Sequence, residues 1–395
     1  NRILSLDADR GLVRVESGIL WDELVGGLRA RQKDWSRKWS IVQKQTGADR
    51  LSIGGALAAN GHGRGLNYSP IVQDVESFEL VDADGNLRTC SRSETAELFS
   101  LAIGGYGLFG VIYSATLRLM PSHSLRRVVE VTDLDRLPGK FAERIADGFT
   151  YGDFQYMTDE ASAGFLHRGV LSCYRPVAEV NGASTKPPAH LLTEGDWLRL
   201  LHLSHSDKGR AFEEYSSFYQ RTDGQTYDSD TFQLSMYIDH YHEQLDQRLY
   251  GGSKCSETIT ELYVPISKLV DFMDSAANEL RRRKSNIIYG TIRLIREDDE
   301  TFLNWARQPY ACIVFNLHFE HDESSIAKVA DDLRCLIDLA AERDGSYFLT
   351  YNRFATAEQL ARCYPQFEDF LGHKERHDPD GVFSSDWHRA YRPAS

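Results

Sequence analysis

Four polar side chains stand inside otherwise apolar runs in the second half of the chain. Glu261 lies in Ile-Thr-Glu-Leu-Tyr-Val-Pro (259–265) and Arg293 in Asn-Ile-Ile-Tyr-Gly-Thr-Ile-Arg-Leu-Ile (286–295). Asn316 and His318 lie in Cys-Ile-Val-Phe-Asn-Leu-His-Phe (312–319). A carboxylate or an imidazole can take a proton from a reacting hydroxyl, and a guanidinium or a hydrogen-bond donor can steady the charge left behind. Asn316 and His318 are two apart, so on a strand they share a face. Burying such groups costs free energy unless they are paired or used. The ordinary alternatives are a solvent-facing side of a sheet, or a simple Glu261–Arg293 pair. Tyr351, in Phe-Leu-Thr-Tyr-Asn-Arg (348–353), is a fifth candidate, as a hydroxyl donor or as a packed strand aromatic.

Two glycine knots in the first third supply another kind of chemistry. Residues 54–65 read Gly-Gly-Ala-Leu-Ala-Ala-Asn-Gly-His-Gly-Arg-Gly, and residues 104–112 read Gly-Gly-Tyr-Gly-Leu-Phe-Gly-Val-Ile. Glycine lets a ligand or another backbone come close. Strand patterns lie between the knots (Val75–Asp82) and after the second (Val111–Met120). Two knots flanking strands suggest backbone packed against a large flat ligand; tight turns in an α/β domain are the bland alternative. The strand that follows Gly104–Gly110 argues against a dinucleotide fingerprint, which needs a helix there. His62 and Arg64 sit inside the first knot. His62 is expected either beside a ligand or bonded to backbone; Arg64 is expected to face phosphate or solvent.

These groups need elements to hold them. Trp21–Arg31 has helical apolar spacing. Thr95–Leu101 suits a short helix, and Asp133–Asp147 a helix broken early by Pro138-Gly139. Strands are expected at Phe149–Tyr156 and Gly169–Tyr174, and helices at Glu194–Ser204 and Arg210–Tyr219. Asn181–Pro188 is the best candidate for a mobile loop. Residues 259–353 then read strand–helix–strand–strand–helix–strand: strands 259–265, 286–295, 312–319 and 347–353, with helices 266–283 (capped by Ser267) and 324–343. This pattern makes an α+β layer with one covered face. Tyr237 and Tyr241 are four apart and would share a helical face.

Composition narrows the function. Net charge is −13 over 395 residues, which disfavours nucleic acid and anionic membrane as main partners. No apolar run approaches the ~18 residues of a membrane span. The six cysteines are scattered without a CxxC pair, as in a reduced, cytoplasmic protein. No metal site is expected: His240 and His242 share a face only on a strand, with no third ligand at metal spacing. Neither Gly-x-Ser-x-Gly nor HExxH occurs.

The order and wording of the two knots resemble the FAD-binding domain of the vanillyl-alcohol oxidase (PCMH-type) superfamily. The branch with aldonolactone and alditol oxidases and decaprenylphosphoryl-ribose 2′-oxidase is the nearest in wording. The closing Asp378-Pro379-Asp380-Gly381-Val382-Phe383 is similar too. The resemblance implies an α+β fold in three parts: residues 1–125 as the second subdomain of a PCMH-type FAD-binding domain, residues 126–355 as a substrate domain whose antiparallel sheet is covered by helices, and residues 356–395 returning to the FAD domain. The family's N-terminal pyrophosphate-loop subdomain would precede residue 1. FAD is the implied cofactor, held by Gly47, Ser52, Ile53, Gly54, Gly55, Ala59, Asn60, Gly61, His62, Gly63, Gly107, Gly110, Val111, Ile112 and Phe348. The implied activity is oxidation of an alcohol on a sugar, alditol or lactone by hydride transfer to flavin N5, with oxygen or another acceptor reoxidising the flavin. The implied catalytic set is His62, Glu261, Arg293, Asn316, His318 and Tyr351. Asn316 falls where the ribose oxidase has the cysteine that mechanism-based inhibitors capture, and Tyr351 where it has a lysine. Two alternatives remain open from the sequence: a flavin-dependent carbon–carbon double-bond reductase of the sterol Δ24-reductase kind, and a flavin-free binding or scaffold protein that kept the fold.

Overall fold

The computed structural model describes residues 1–177 and 190–391. The first sheet forms from β1 (Ile3–Asp7), β2 (Leu12–Glu16), β3 (Trp39–Ile41), β4 (Val75–Val81), β5 (Leu87–Ser91) and β6 (Val111–Pro121). Its order is β1-β2-β6-β4-β5, with β3 also paired to β6. The helix α1 (Trp21–Arg31) buries Trp21, Leu24, Val25 and Leu28, the stripe read from the sequence. The first knot is not simply a loop: Ile53–Ala58 forms a short helix, α2, capped by the Ser52 side chain on the Gly55 amide. Its last carbonyls, which have no partner within the helix, are taken by the second knot. The Gly104 amide donates to Leu57 O (2.9 Å) and the Tyr106 amide to Ala58 O (2.9 Å). The helix α3 (Ala96–Ala102) leads into that second knot.

The second sheet is antiparallel throughout. It uses β7 (Ser124–Asp133), β8 (Tyr151–Tyr156), β9 (Arg168–Val177), β10 (Thr226–Asp228), β11 (Cys255–Val264), β12 (Ile287–Ile295), β13 (Tyr310–Glu320) and β14 (Ser346–Tyr347) in the order β10-β7-β9-β8-β12-β13-β11-β14. Interleaved are α4 (Leu137–Ala146), α5 (Glu194–Ser206), α6 (Lys208–Arg221), α7 (Tyr241–Leu249), α8 (Leu269–Arg283) and α9 (Glu323–Ala341). Three short helices close the chain: α10 (Ala357–Cys363), α11 (Phe367–His377) and α12 (Asp386–Tyr391).

Strand alternation sorts this sheet into two faces. Leu262, Ile292, Ile313, Phe315 and Leu317 are fully buried on the side covered by α9, against which α8 packs. Each such side chain contributes roughly 1.5–3 kcal/mol. The other face carries Glu261, Arg293, Asn316 and His318. It is covered only in part, by α6 at β7 and β9, α5 at β12 and α7 at β11.

Several local expectations change. The run at 133–147 is 3₁₀ at Leu134–Arg136 and then α4, and Pro138 opens that helix rather than breaking it, since the first turn has no use for its missing amide. The strand β7 pairs along its whole length with β9. Ser267 is not a cap: Pro265 starts a 3₁₀ turn, closed by the Lys268 amide on Pro265 O, and α8 begins only at Leu269. The expected strand 347–353 shrinks to the two residues of β14, so Tyr351 stands on a turn. Tyr237 lies ahead of α7 and shares no helical face with Tyr241. The expected mobile loop Asn181–Pro188 lies outside the described residues.

The two sheets meet at Asn60. Its backbone has φ 45°, a left-handed conformation that Asn tolerates and Ala does not. Its amide nitrogen donates to Asp298 Oδ2 (2.8 Å) and Thr301 Oγ1 (3.3 Å), and its Oδ1 accepts from the Val72 amide. Its carbonyl accepts from Trp305 Nε1 (3.0 Å). Asn60→Ala is expected to destabilise the protein by about 3 kcal/mol, from backbone strain and buried groups left unpaired. Chemical denaturation with an unchanged slope would measure it; a loss below about 1 kcal/mol would show that this junction is not structural.

Candidate active site

His62 leaves the first knot and crosses to the second sheet. Its Nε2 lies 2.9 Å from Glu261 Oε2 and its Nδ1 2.9 Å from Gly63 O. Both nitrogens face oxygen acceptors. Tyr263, Trp305 and Phe348 box the ring, with centroids 5.2–6.4 Å away. Glu261 is the hub. Beyond His62 it accepts from Tyr263 OH at Oε2 (2.9 Å) and from Tyr351 OH at Oε1 (2.9 Å). Burial alone would raise its pKa, but the His62 charge and bond, Arg293 and the Tyr351 hydroxyl outweigh burial and bring it down to about 2. Glu261 therefore pairs with His62, not with Arg293.

Register explains who joins this group. Glu261 faces Val314 across β11 and β13, Ile259 faces Asn316, and Glu257 faces His318. On β12, Arg293 stands opposite Cys312 and Tyr289 opposite Asn316. Glu261, Arg293, Asn316 and Tyr351 line one cavity of about 1200 Å³, with Arg64, Asp153 and Tyr289. Arg293 is 7% exposed, and among the described residues it makes no ion pair; its Nε has no hydrogen-bond partner. Asn316 Oδ1 is also buried and unpartnered. Tyr351 is 42% exposed as a whole, but desolvation at its hydroxyl end and the Glu261 charge hold the phenol well above its usual pKa, so it remains a donor.

Other expected residues fall elsewhere. His62 does not line the cavity; it stands behind Glu261. His318 shares the face of Asn316 but lies one strand repeat further on, stacked on Tyr250 at 4.4 Å and edge-on to His205. Burial and the neighbouring His205 push its pKa down to about 4. Arg64 is largely enclosed rather than solvated: it donates to Phe232 O (2.7 Å), sits 3.6 Å from Asp153, and lies over the Phe232 and Tyr174 rings. Gly110 packs against Leu80 and Val81 O, so its glycine serves strand packing. Ile112 and Phe348 are buried, whereas Val111 is exposed.

Among the expected cofactor residues, the amides of Ile53 and Gly54 are spent on Ile19 O and Ser17 O, that of Ala59 on Gly55 O, that of Gly61 on Ala56 O, and that of Gly63 on Gln43 Oε1. Gly47 donates its amide to Ser235 Oγ, and its carbonyl accepts from Tyr237 OH. What these residues still offer is shape. At Gly47 and Gly107, both with φ +76°, nothing lies within 4 Å of where a Cβ would stand. Gln45 Nε2, beside Gly61, is buried without a partner. A wall of close-bonded glycine backbone with open ground and an unspent donor fits a flat ring system such as FAD.

Sequence reasoning missed four residues of this region. Trp305 stacks on Tyr263 (4.5 Å, 21°) and packs on His62. Asp153 faces Arg64. The buried pair Lys44–Asp49 (2.5 Å) shapes the turn before the first knot. A charged Lys-x₄-Asp pair beside a glycine run was the one available local signal; the others come from distant segments.

Comparison with known proteins agrees with this geometry. Residues 1–91 match the family model described as "FAD binding domain". The chain is 24% identical to L-gulono-1,4-lactone dehydrogenase of Mycobacterium tuberculosis over 98% of its own length and 83% of that protein. It is 30% identical to mouse L-gulonolactone oxidase over 32% of its length and 27% of that protein. It is 36% identical to rice cytokinin dehydrogenase 9 over 22% of its length and 16% of that protein. The chain is an FAD-dependent oxidoreductase. Residues 1–91 carry a PCMH-type FAD-binding domain, and the relatives are consistent with the aldonolactone oxidase branch. The flavin-free alternative falls on the same matches. Among the described residues no helix is long and apolar enough to cross a membrane.

The state of Glu261 sets a pH dependence. Its folded pKa of about 2 lies below the ordinary 4.5, so its contribution is fully present above pH 4.5 and is lost as pH falls towards 2. Relative to Glu261→Gln, the wild type is expected to be more stable by on the order of 3 kcal/mol near neutral pH, with the gap closing between pH 4.5 and 2. Parallel stability curves for the two proteins over that range would sink this assignment.

Proposed function

We propose that the protein oxidises an alcohol carbon of a small polyhydroxylated substrate, a sugar, alditol or aldonolactone, with oxygen or another acceptor reoxidising the flavin. The observation that carries this reading is the pair of buried, unspent polar atoms, Arg293 Nε and Asn316 Oδ1, on the sheet face beside Glu261. Groups desolvated without partners are costly unless a ligand completes them. The long match to a lactone dehydrogenase supports the substrate class. We further infer the expected division at 125 and 355 into FAD-binding, substrate and returning segments. C-terminal contacts support its last part: Trp387 stacks on Tyr106 at 4.2 Å and Phe370 meets Phe109. A reducing, cytoplasmic setting is supported by six unpaired cysteines.

In this reading FAD, when bound, supplies the acceptor for hydride. The glycine-walled track of the two knots, with Gly47 and Gly107, would hold it. The protein's own groups do the rest. Asn316 Oδ1 accepts a hydrogen bond from a substrate hydroxyl and so fixes which carbon faces the flavin. Arg293 donates to a neighbouring oxygen and opposes the negative charge that develops in the site. Glu261 is too acidic, and too fully hydrogen-bonded, to take the hydroxyl proton, which passes to water in the cavity; Glu261 positions Tyr351. His62 balances the Glu261 charge and ties that group to the first knot.

Rapid mixing of the flavin-loaded protein with aldonolactones and alditols under anaerobic conditions tests this. Loss of the flavin absorbance is expected with at least one of them. Asn316→Ala and Arg293→Ala should slow it roughly 10²-fold or more while flavin content is kept. Reduction by NADPH with no reduction by any polyol would favour the double-bond reductase. Unchanged rates in both variants would remove this sheet face from the site.

A further inference from the structure

A second polar cluster lies further along the same sheet face, and the proposed oxidation makes no use of it. His205 comes from α5, Glu257 from β11 and His318 from β13. One ligand-type atom from each lies within 4.8 Å of the other two. His205 Nε2 stands 3.2 Å from Glu257 Oε1. Both ring nitrogens of His318 are buried without a hydrogen-bond partner, and neither His205 Nε2 nor Glu257 Oε1 makes a well-formed hydrogen bond. The His205 side chain is fully enclosed.

The surroundings aim these atoms inward. The Tyr250 hydroxyl engages His205 Nδ1 (2.9 Å), which leaves Nε2 to point at the cluster. The Tyr241 hydroxyl donates to Glu257 Oε2 (2.8 Å), which leaves Oε1. Tyr250 also stacks on the His318 ring and fixes its plane. Hydrogen bonds to the outer atoms of ligands are how proteins set imidazoles and carboxylates for a metal. Two imidazoles and one carboxylate oxygen form a donor set that first-row divalent ions take, with a coordination position left over.

We propose that His205, Glu257 and His318 bind one divalent transition-metal ion, with Zn²⁺ or Co²⁺ as suitable probes, and that the ion fastens α5 to the eight-stranded sheet. Two other clusters do not qualify. In His62–Glu261–Cys312 the imidazole and carboxylate already satisfy each other. In Glu97–His373–His377 the carboxylate is exposed and already contacts both imidazoles (3.1 and 3.4 Å), and Arg376 lies 3.7 Å from Glu97 and donates to the His373 ring. Sequence spacing could not reveal the site, because its ligands are 52 and 61 residues apart along the chain, at positions 205, 257 and 318.

The test uses the flavin-loaded protein, stripped with a chelator and titrated separately with Zn²⁺ and Co²⁺. Bound metal is counted by elemental analysis, and flavin absorbance and near-ultraviolet circular dichroism check the fold. One ion per chain is expected. His318→Ala and Glu257→Gln should each weaken binding at least ~10-fold, the loss that even outer-shell changes cause, and His373→Ala should leave it unchanged. Cleavage near α5 by a protease should slow when metal is added to wild type but not to His318→Ala. A wild-type protein that retains no ion, or equal binding in the folded His318→Ala and Glu257→Gln variants, would overturn the proposal. So would binding lost only in His373→Ala.

Discussion

The site depends on one buried ionic contact, His62 to Glu261. The imidazole belongs to the glycine-rich segment of the first sheet, and the carboxylate to β11 of the second. Neither would be tolerated alone at this depth, since an unpaired buried charge costs several kcal/mol. Together, and with Tyr263 and Tyr351 completing the carboxylate, they fix the distance between the flavin-binding segment and the polar sheet face. Trp305 strengthens the joint twice: its ring packs on His62 and Tyr263, and its indole nitrogen bonds Asn60 O, next to Gly61 of the knot.

With that joint in place, the remaining sheet face is free to carry groups that stability alone would not choose. Arg293 and Asn316 keep unpaired polar atoms out of water, while the opposite face of the same strands is packed with Leu262, Ile313 and Phe315. The apolar face holds the fold and the polar face is left for a ligand. The helices α5, α6 and α7 close over part of the polar face and turn it into a cavity.

Much of the fold was legible in order. The helix at 21–31 and, short of its last strand, the strand–helix–strand–strand–helix–strand run expected at 259–353 follow from apolar periodicity, which burial rewards directly. Misreadings cluster where one residue's backbone chemistry acts against the local pattern. Pro138 and Pro265 set helix starts, and the edge strand at 346 stops after two residues because only Phe348 continues to bond β11. The site was half legible. Glu261, Arg293, Asn316 and Tyr351 stand out as polar interruptions and do converge. His318 interrupts its strand in the same way, yet one more repeat along β13 carries it to a different neighbourhood.

What the sequence by itself determined is the set of local preferences: two glycine knots, strands with one apolar and one polar face, and the polar residues placed on the latter. Those follow from period and residue size. What only the tertiary structure decided is partnership. That Glu261 answers to His62 and not Arg293, that Asn60 joins the two sheets, and that His205, Glu257 and His318 share one point depend on strand register and on contacts across 50 to 250 residues. Register shifts by one residue would send Glu257, Glu261, Arg293 and His318 to the opposite face, and nothing in local composition fixes it.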